Sequence, residues 1–246
     1  MKHILALAIL HFASVASAQV LTPGFAEKAK NAPTPKLKVL LISGSLEYKS
    51  DESLDAFQKQ IEANYPVECV RAYRKADNDI PGLDALDTCD VAVFFTRRST
   101  IDGAQLERIK KYAASGKPIV GIRTSSHGFQ KYLEMDKEVF GGSYGGHFKV
   151  GPKAEIKVVG DHPILTGFKP FDSTGSLYKN PMNAKDVTVL LTGSILDHSE
   201  PIAWVREYKG GRVFYTSLGH PDDFKNEHFV RMLTNAIFWT AKREAK

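Results

Sequence analysis

Lys38-Val39-Leu40-Leu41-Ile42-Ser43-Gly44 is the stretch that decides the fold. It is a continuous apolar run, not an alternating one, and a strand without a polar face must be covered on both sides. Strands of that kind sit inside parallel sheets whose crossover helices pack on the two faces. A helix follows at once. Ser50 offers an N-cap, Asp51 and Glu52 occupy the first turn where the helix dipole favours carboxylates, and Leu54, Phe57 and Ile61 recur at helical spacing as far as Asn64.

Outward from there, Val67 to Val70 reads as an edge-like strand, and Asn78, Pro81 and Gly82 mark a loop. Asp90-Val91-Ala92-Val93-Phe94-Phe95 reads as another buried strand. Asp102 is placed to cap a second helix with Leu106, Ile109 and Ala113 on its apolar face and Gly116 at its end. Lys117-Pro118-Ile119-Val120-Gly121-Ile122 is the fourth strand. This alternation predicts a doubly wound α/β fold, a mostly parallel sheet with helices on both faces. More strands are predicted at Ala154 to Val159, Val187 to Leu191, Ile202 to Tyr208 and Val213 to Ser217. Lys209-Gly210-Gly211 joins the last two as a hairpin, and a helix carrying Phe229, Met232, Leu233, Ala236 and Ile237 closes the chain.

The rest of the chain bounds where the protein works. Lys2 and His3, the apolar run Ile4 to Phe12, and Ala16-Ser17-Ala18 before Gln19 are the three parts of a secretory signal peptide. Cleavage is expected after Ala18, giving a secreted or periplasmic protein; a retained N-terminal anchor is the alternative. No later stretch approaches the roughly 20 apolar residues of a spanning helix, so no stable membrane span is expected. Residues 19–37, with Pro23, Gly24, Asn31, Pro33 and Pro35, read as an arm or linker, and 38–241 as one α/β domain. The net charge of +5 is spread thinly, Arg97-Arg98 and Lys110-Lys111 being pairs and not a stripe. That argues against a nucleic-acid partner and leaves a mild attraction to anionic ligands. An oxidising compartment permits Cys69 and Cys89 to bond, but the strands they belong to flank the first strand, beyond the roughly 7 Å reach of a disulfide.

Open α/β sheets bind ligands at the carboxyl ends of their strands. The first strand delivers Ser43, Gly44, Ser45, Glu47 and Tyr48; the third Arg97 and Arg98; the fourth Arg123, Ser125 and His127. A late segment delivers Ser217, Gly219, His220 and Asp222, and the glycine-rich loop Gly141 to His147 adds Tyr144 and His147. One loop histidine alone is more readily a surface group than a functional one, whereas three past strand ends argue together for function. Arg123 stands at the mouth of a buried sheet, where an unpaired charge is costly, so it needs a carboxylate, a phosphate or a ligand oxygen. Its structural alternative is an ion pair with Glu47 or Glu200. A serine hydrolase is disfavoured, because arginine occupies the nucleophile's place and adjacent Ser126 and His127 rarely meet in triad geometry. His127, His147 and His220 supply the ligand types of a zinc centre without a short ligand spacing. No other cofactor is predicted.

Four segments resemble, in order, the trehalose-utilisation (ThuA-like) family: Ile119 to His127, Gly141-Gly142-Ser143-Tyr144 with His147, His162-Pro163-Ile164, and Gly211 to His220. The resemblance runs from about Lys38 to Trp239. It implies a flavodoxin-like sheet related to class I glutamine amidotransferases, with Arg123 in place of their cysteine nucleophile, so that glutamine amidotransfer is not expected. It also implies a small-molecule carbohydrate ligand, a link to disaccharide catabolism including 3-keto-sugars, and homodimers. Many members carry Asp-Glu-Leu-Tyr where this chain has Gly175-Ser176-Leu177-Tyr178, and His-Asp where it has Tyr48-Lys49. Three readings follow. The first is an enzyme acting on a sugar or keto-sugar, with His127 or His220 as base, His147 nearby, Arg123 steadying an oxyanion, and Ser45, Tyr48, Arg97, Ser125, Tyr144 and Tyr178 holding the substrate. The second is a non-catalytic carbohydrate-binding protein, and the third a metal-dependent hydrolase.

Overall fold

The computed structural model describes residues 35–148 and 153–245; the expected signal peptide and nearly all of the expected arm lie outside them. The apolar runs become β1 (Leu37–Gly44), β2 (Val67–Tyr73), β3 (Val91–Thr96) and β4 (Ile119–Ile122). Successive residues of a strand point to opposite faces. Val39 and Leu41 pack with α1 (Ser50–Asn64) and α3 (Glu227–Thr240), whereas Leu40 and Ile42 pack with α2 (Gly103–Ala114). Helices therefore cover both faces of this part of the sheet.

The remaining strands are β5 (Ala154–Val158), β6 (Asp172–Ser173), β7 (Thr188–Ile195), β8 (His198–Tyr208) and β9 (Gly211–Thr216). The nine strands lie in the order β2-β1-β3-β4-β9-β8-β7-β5-β6. Pairing is parallel from β2 through β4 to β9 and antiparallel from β9 through β8, β7 and β5 to β6. This corrects the mostly parallel sheet expected: the α/β fold is built on a mixed sheet. The reason is chain length, because parallel neighbours need a crossover of a dozen or more residues. Only Leu196-Asp197 and Lys209-Gly210 separate β7, β8 and β9. Lys209 and Gly210 both have positive φ, as a type I′ hairpin turn requires.

Two helix starts differ from expectation. Ser50 is the first helical residue, and Lys49, with φ 46°, takes the cap position without a side-chain bond. The buried Ser50 hydroxyl instead lies 2.8 Å from the Ser45 amide and 2.7 Å from Ser43 Oγ, tying the loop after β1 to the helix. Asp102 stands at the N-cap of α2, yet its carboxylate takes Lys131 Nζ at 2.8 Å. Asn226 does cap α3, accepting from the His228 amide at 2.9 Å. Cys69 and Cys89 are free thiols. Among the described residues no helix is long and apolar enough to cross a membrane.

At the amino ends of β4 and β9 two turns meet backbone to backbone. A Cβ on Gly116 would lie 2.3 Å from the Lys209 carbonyl oxygen, and one on Gly211 would lie 2.2 Å from that of Gly116. Only glycine fits at either position.

Candidate functional site

At the opposite, carboxyl end, β4 runs into a buried 3₁₀ turn, Arg123–His127. Arg123 enters it at φ 47°, a left-handed conformation that is uncommon for a long side chain. The Tyr215 hydroxyl holds this corner by donating to the Arg123 carbonyl, and Ser125 Oγ lies 2.6 Å from the Phe94 carbonyl oxygen.

The Arg123 side chain is only 1% exposed. Nη1 donates to the Ser217 carbonyl at 2.6 Å; Nη2 lies 3.3 Å from Tyr48 Oη, from the Ser176 carbonyl oxygen and from Ser176 Oγ. The rings of Tyr48 and Tyr178 pack against the guanidinium at 4.3 and 4.7 Å. Nε has no partner. The structural alternative, an ion pair with Glu47 or Glu200, is not formed among the described residues: Glu47 binds Arg97 at 2.7 Å, and Glu200 accepts from the Asn180 amide at 2.9 Å. Neutral oxygens and aromatic faces surround this charge, with the Asp223 carboxylate acting on it from further off, and it lies beneath the surface and not at an open mouth.

His127 lies beyond Tyr178, their ring centroids 6.2 Å apart, and stacks on Tyr144 at 4.3 Å and 20°. Its Nδ1 is 3.1 Å from Ser126 Oγ. Burial, followed by the charges of Arg98, Arg97 and Arg123, pushes the imidazole down to about 4, so it is neutral at neutral pH. Tyr144 is placed by its amide, which donates to Asp136 Oδ2 at 2.7 Å. Burial raises that carboxyl to about 6. On the other side, His220 meets Tyr48 edge-on at 6.3 Å, with Thr174 Oγ1 2.9 Å and Asp222 Oδ2 3.5 Å from its Nδ1. Asp223 fixes the backbone there, accepting from the Gly219 and His220 amides at 2.8 and 2.9 Å and from Ser173 Oγ.

His127, Tyr178, Arg123, Tyr48 and His220 thus form a row along one rim of the sheet, with Tyr144 over His127. His147 is exposed at the edge of the row, its backbone bridged to Tyr178, and it adds to the positive surroundings of His127. Arg97 is half-buried and paired with Glu47. Ser45 and Ser125 are buried with inward-turned hydroxyls: Ser45 Oγ accepts from Thr124 Oγ1 at 2.9 Å, and Ser125 Oγ faces strand carbonyls. Asp136, Ser176 and Thr174 complete the rim and were not among the expected residues. Among the described residues no three His, Cys, Asp or Glu side chains are grouped to hold a metal. A cavity of about 10 Å³, bounded by Arg123, Ser173, Gly175 and Ser217, lies behind the guanidinium. That is room for roughly one water. A depression of about 480 Å³ between Pro163, Arg212, Trp239 and Lys242 is at the other end of β9.

A mixed sheet with helices on the faces of its parallel part and a polar rim at the strands' carboxyl ends defines an α/β protein. The family model for ThuA, described as trehalose utilisation, matches residues 38–240. The chain belongs to that family. It is similar to a ThuA-like protein of Bacteroides uniformis at 19% identity, with a TM-score of 0.66, covering 85% of this chain and 93% of that one. A ThuA-like protein of Parabacteroides merdae matches at 14% identity, with a TM-score of 0.66, covering 86% and 92%. A Salmonella typhimurium protein described as cytoplasmic matches at 16% identity, with a TM-score of 0.58, covering 83% and 99%. At these identities the likeness is one of fold. No curated protein matches the chain.

Proposed function

We propose that the rim binds a sugar or keto-sugar and moves a proton at a carbon beside its carbonyl, in an exported protein of disaccharide catabolism. The observation that carries this reading is a neutral, nearly enclosed imidazole stacked on a tyrosine. The family's subject, trehalose utilisation, agrees with a carbohydrate ligand, and the leader-like residues 1–18 agree with export.

For His127 to accept a proton, Nδ1 carries the hydrogen and donates to Ser126 Oγ, which in turn lies 3.4 Å from the Arg123 carbonyl oxygen. Nε2 then presents its lone pair to the substrate. Tyr144 offers an aromatic face to the C–H side of a sugar ring. Because Arg123 is enclosed, its effect on an oxyanion passes through Tyr48: Nη2 donates to the phenol oxygen, leaving the phenol hydrogen for the developing charge. His220, with Asp222 beside Nδ1, is the second group able to carry the proton.

The test is hydrogen exchange in deuterated water at the carbon next to the carbonyl of a 3-keto-glucoside, followed by NMR. The native protein is expected to catalyse exchange, and His127→Gln to lose about 100-fold or more with unchanged circular dichroism. Sugar binding by calorimetry without exchange supports a non-catalytic binding protein, a reading favoured by Gly175-Ser176, which stand where many family members carry Asp-Glu. Full exchange by the variant overturns the role of His127.

A further inference from the structure

We infer that the ligand of this rim is a sugar bearing an oxyanion, and that Arg98 seats that group. The inference rests on the reading of the rim as a sugar site and adds the charge class of the sugar. Arg98 is exposed, yet its backbone is fixed in the left-handed region at φ 47°, and its amide donates to the His127 carbonyl at 3.0 Å. An exposed arginine is ordinarily a solvated surface charge of little consequence. This one is anchored to the turn that presents His127, and its charge is the foremost among those acting on that imidazole. It also acts on Tyr144.

No carboxylate answers it. Among the described residues Arg98 has no ion-pair partner, and every acidic group along the rim is engaged elsewhere. Glu47 is held by Arg97 at 2.7 Å, and Asp222 by Lys225 at 2.8 Å. Asp223 is taken by two backbone amides and Ser173, and Asp136 sits buried beneath Tyr144. Arg98, unpaired and anchored by its backbone beside His127, leaves a positive charge next to the stacked rings of His127 and Tyr144. In the inferred pose a ring lying on that tyrosine turns one substituent towards Arg98. A guanidinium fork matches an oxyanion with two oxygens, and carboxylate and phosphate share that chemistry.

The test is calorimetry on the native protein and on Arg98→Gln with glucose, glucuronate and glucose 6-phosphate, at low and at high salt. The native protein is expected to bind at least one of the two anionic sugars roughly 10-fold more tightly than glucose, with the margin shrinking at high salt. The two anionic arms identify whether carboxylate or phosphate is preferred. In Arg98→Gln the margin is expected to fall to about twofold or less, and Arg98→Lys to retain part of it. Equal affinity of the native protein for neutral and anionic sugars, or a margin that survives Arg98→Gln, overturns the inference and leaves the sugar site standing. Binding of none of the three overturns both.

Discussion

The two ends of the sheet are built differently, and the candidate site is where they meet. In the parallel part, β3 and β4 are wholly buried, and helices lie on both faces. In the antiparallel part, β7 mixes buried with half-exposed positions, and Leu196 at its hairpin tip is 79% exposed. Their contributions to the rim differ in kind. The parallel strands deliver cations and imidazoles: Arg97, Arg98, Arg123, His127 and, after β9, His220. The connections leading into and within the antiparallel part deliver the walls: Tyr144, Ser176 and Tyr178. Arg123 is the joint, because its guanidinium reaches Ser217 and Tyr48 on one side and Ser176 and Tyr178 on the other. Charges can thus be placed with the precision of a rigid core while the groups around them sit on connections more open to change.

Arg123→Ala is the strongest way to break the comparison. It leaves the carbonyls of Ser217 and Ser176 without their donor and opens a cavity between the tyrosines, so a loss of about 3–5 kcal/mol in urea unfolding is expected. A loss below about 1 kcal/mol would show that the two parts are not joined there. A pH titration of stability follows in size. His127 refuses a proton that the unfolded chain takes up below 6.5, so its contribution is complete above pH 6.5 and lost as pH falls towards 4. Asp136 works the other way: its contribution is complete below pH 3.8 and lost as pH rises towards 6. Each spans about 3 kcal/mol, and they oppose one another in the native protein. His127→Gln should make stability rise on acidification across this window, and Asp136→Asn should make it fall. Variants tilting the same way would refute the assignment.

Smaller effects compare the packing directly. A Cβ on Gly121 in β4 would meet the Phe140 ring at 2.5 Å and Tyr215 at 2.9 Å, whereas one on Gly193 in β7 would meet Ile202 and Leu177 at 3.0 and 3.1 Å. Gly121→Ala is expected to cost about 2 kcal/mol and Gly193→Ala less than about 1 kcal/mol. Equal costs would mean that the antiparallel part is packed as tightly as the parallel one. Smallest of all, Leu196→Asn relieves a left-handed leucine at φ 52° and should raise stability by a few tenths of a kcal/mol.

The same contrast explains what could be read from the residues. β1, β3 and β4 are legible because a strand buried on both faces is apolar throughout. The pattern under-reports β7 and β8: Thr192-Gly193-Ser194 and His198-Ser199-Glu200 are partly solvated strand ends and look like loop. β6, two residues long, carries no periodic signal at all. In the site, Arg123, His127 and His220 could be named because each lies just past a strand. Asp136 and Ser176 could not, since their roles depend on where long connections return. Ser45 and Ser125 were correctly located at strand ends, but which way a hydroxyl turns is a rotamer choice that spacing does not reveal.

The contact of Gly116 with the Lys209-Gly210-Gly211 turn has an engineering consequence. With two main chains touching, neither turn accepts an inserted residue unless the other moves, so fusions and loop libraries placed there should fail together. At the rim the tight glycines meet side chains instead, Gly219 the Ile122 side chain at 2.6 Å and Gly175 the Arg123 guanidinium at 2.9 Å, so a change there asks side chains and not main chains to move.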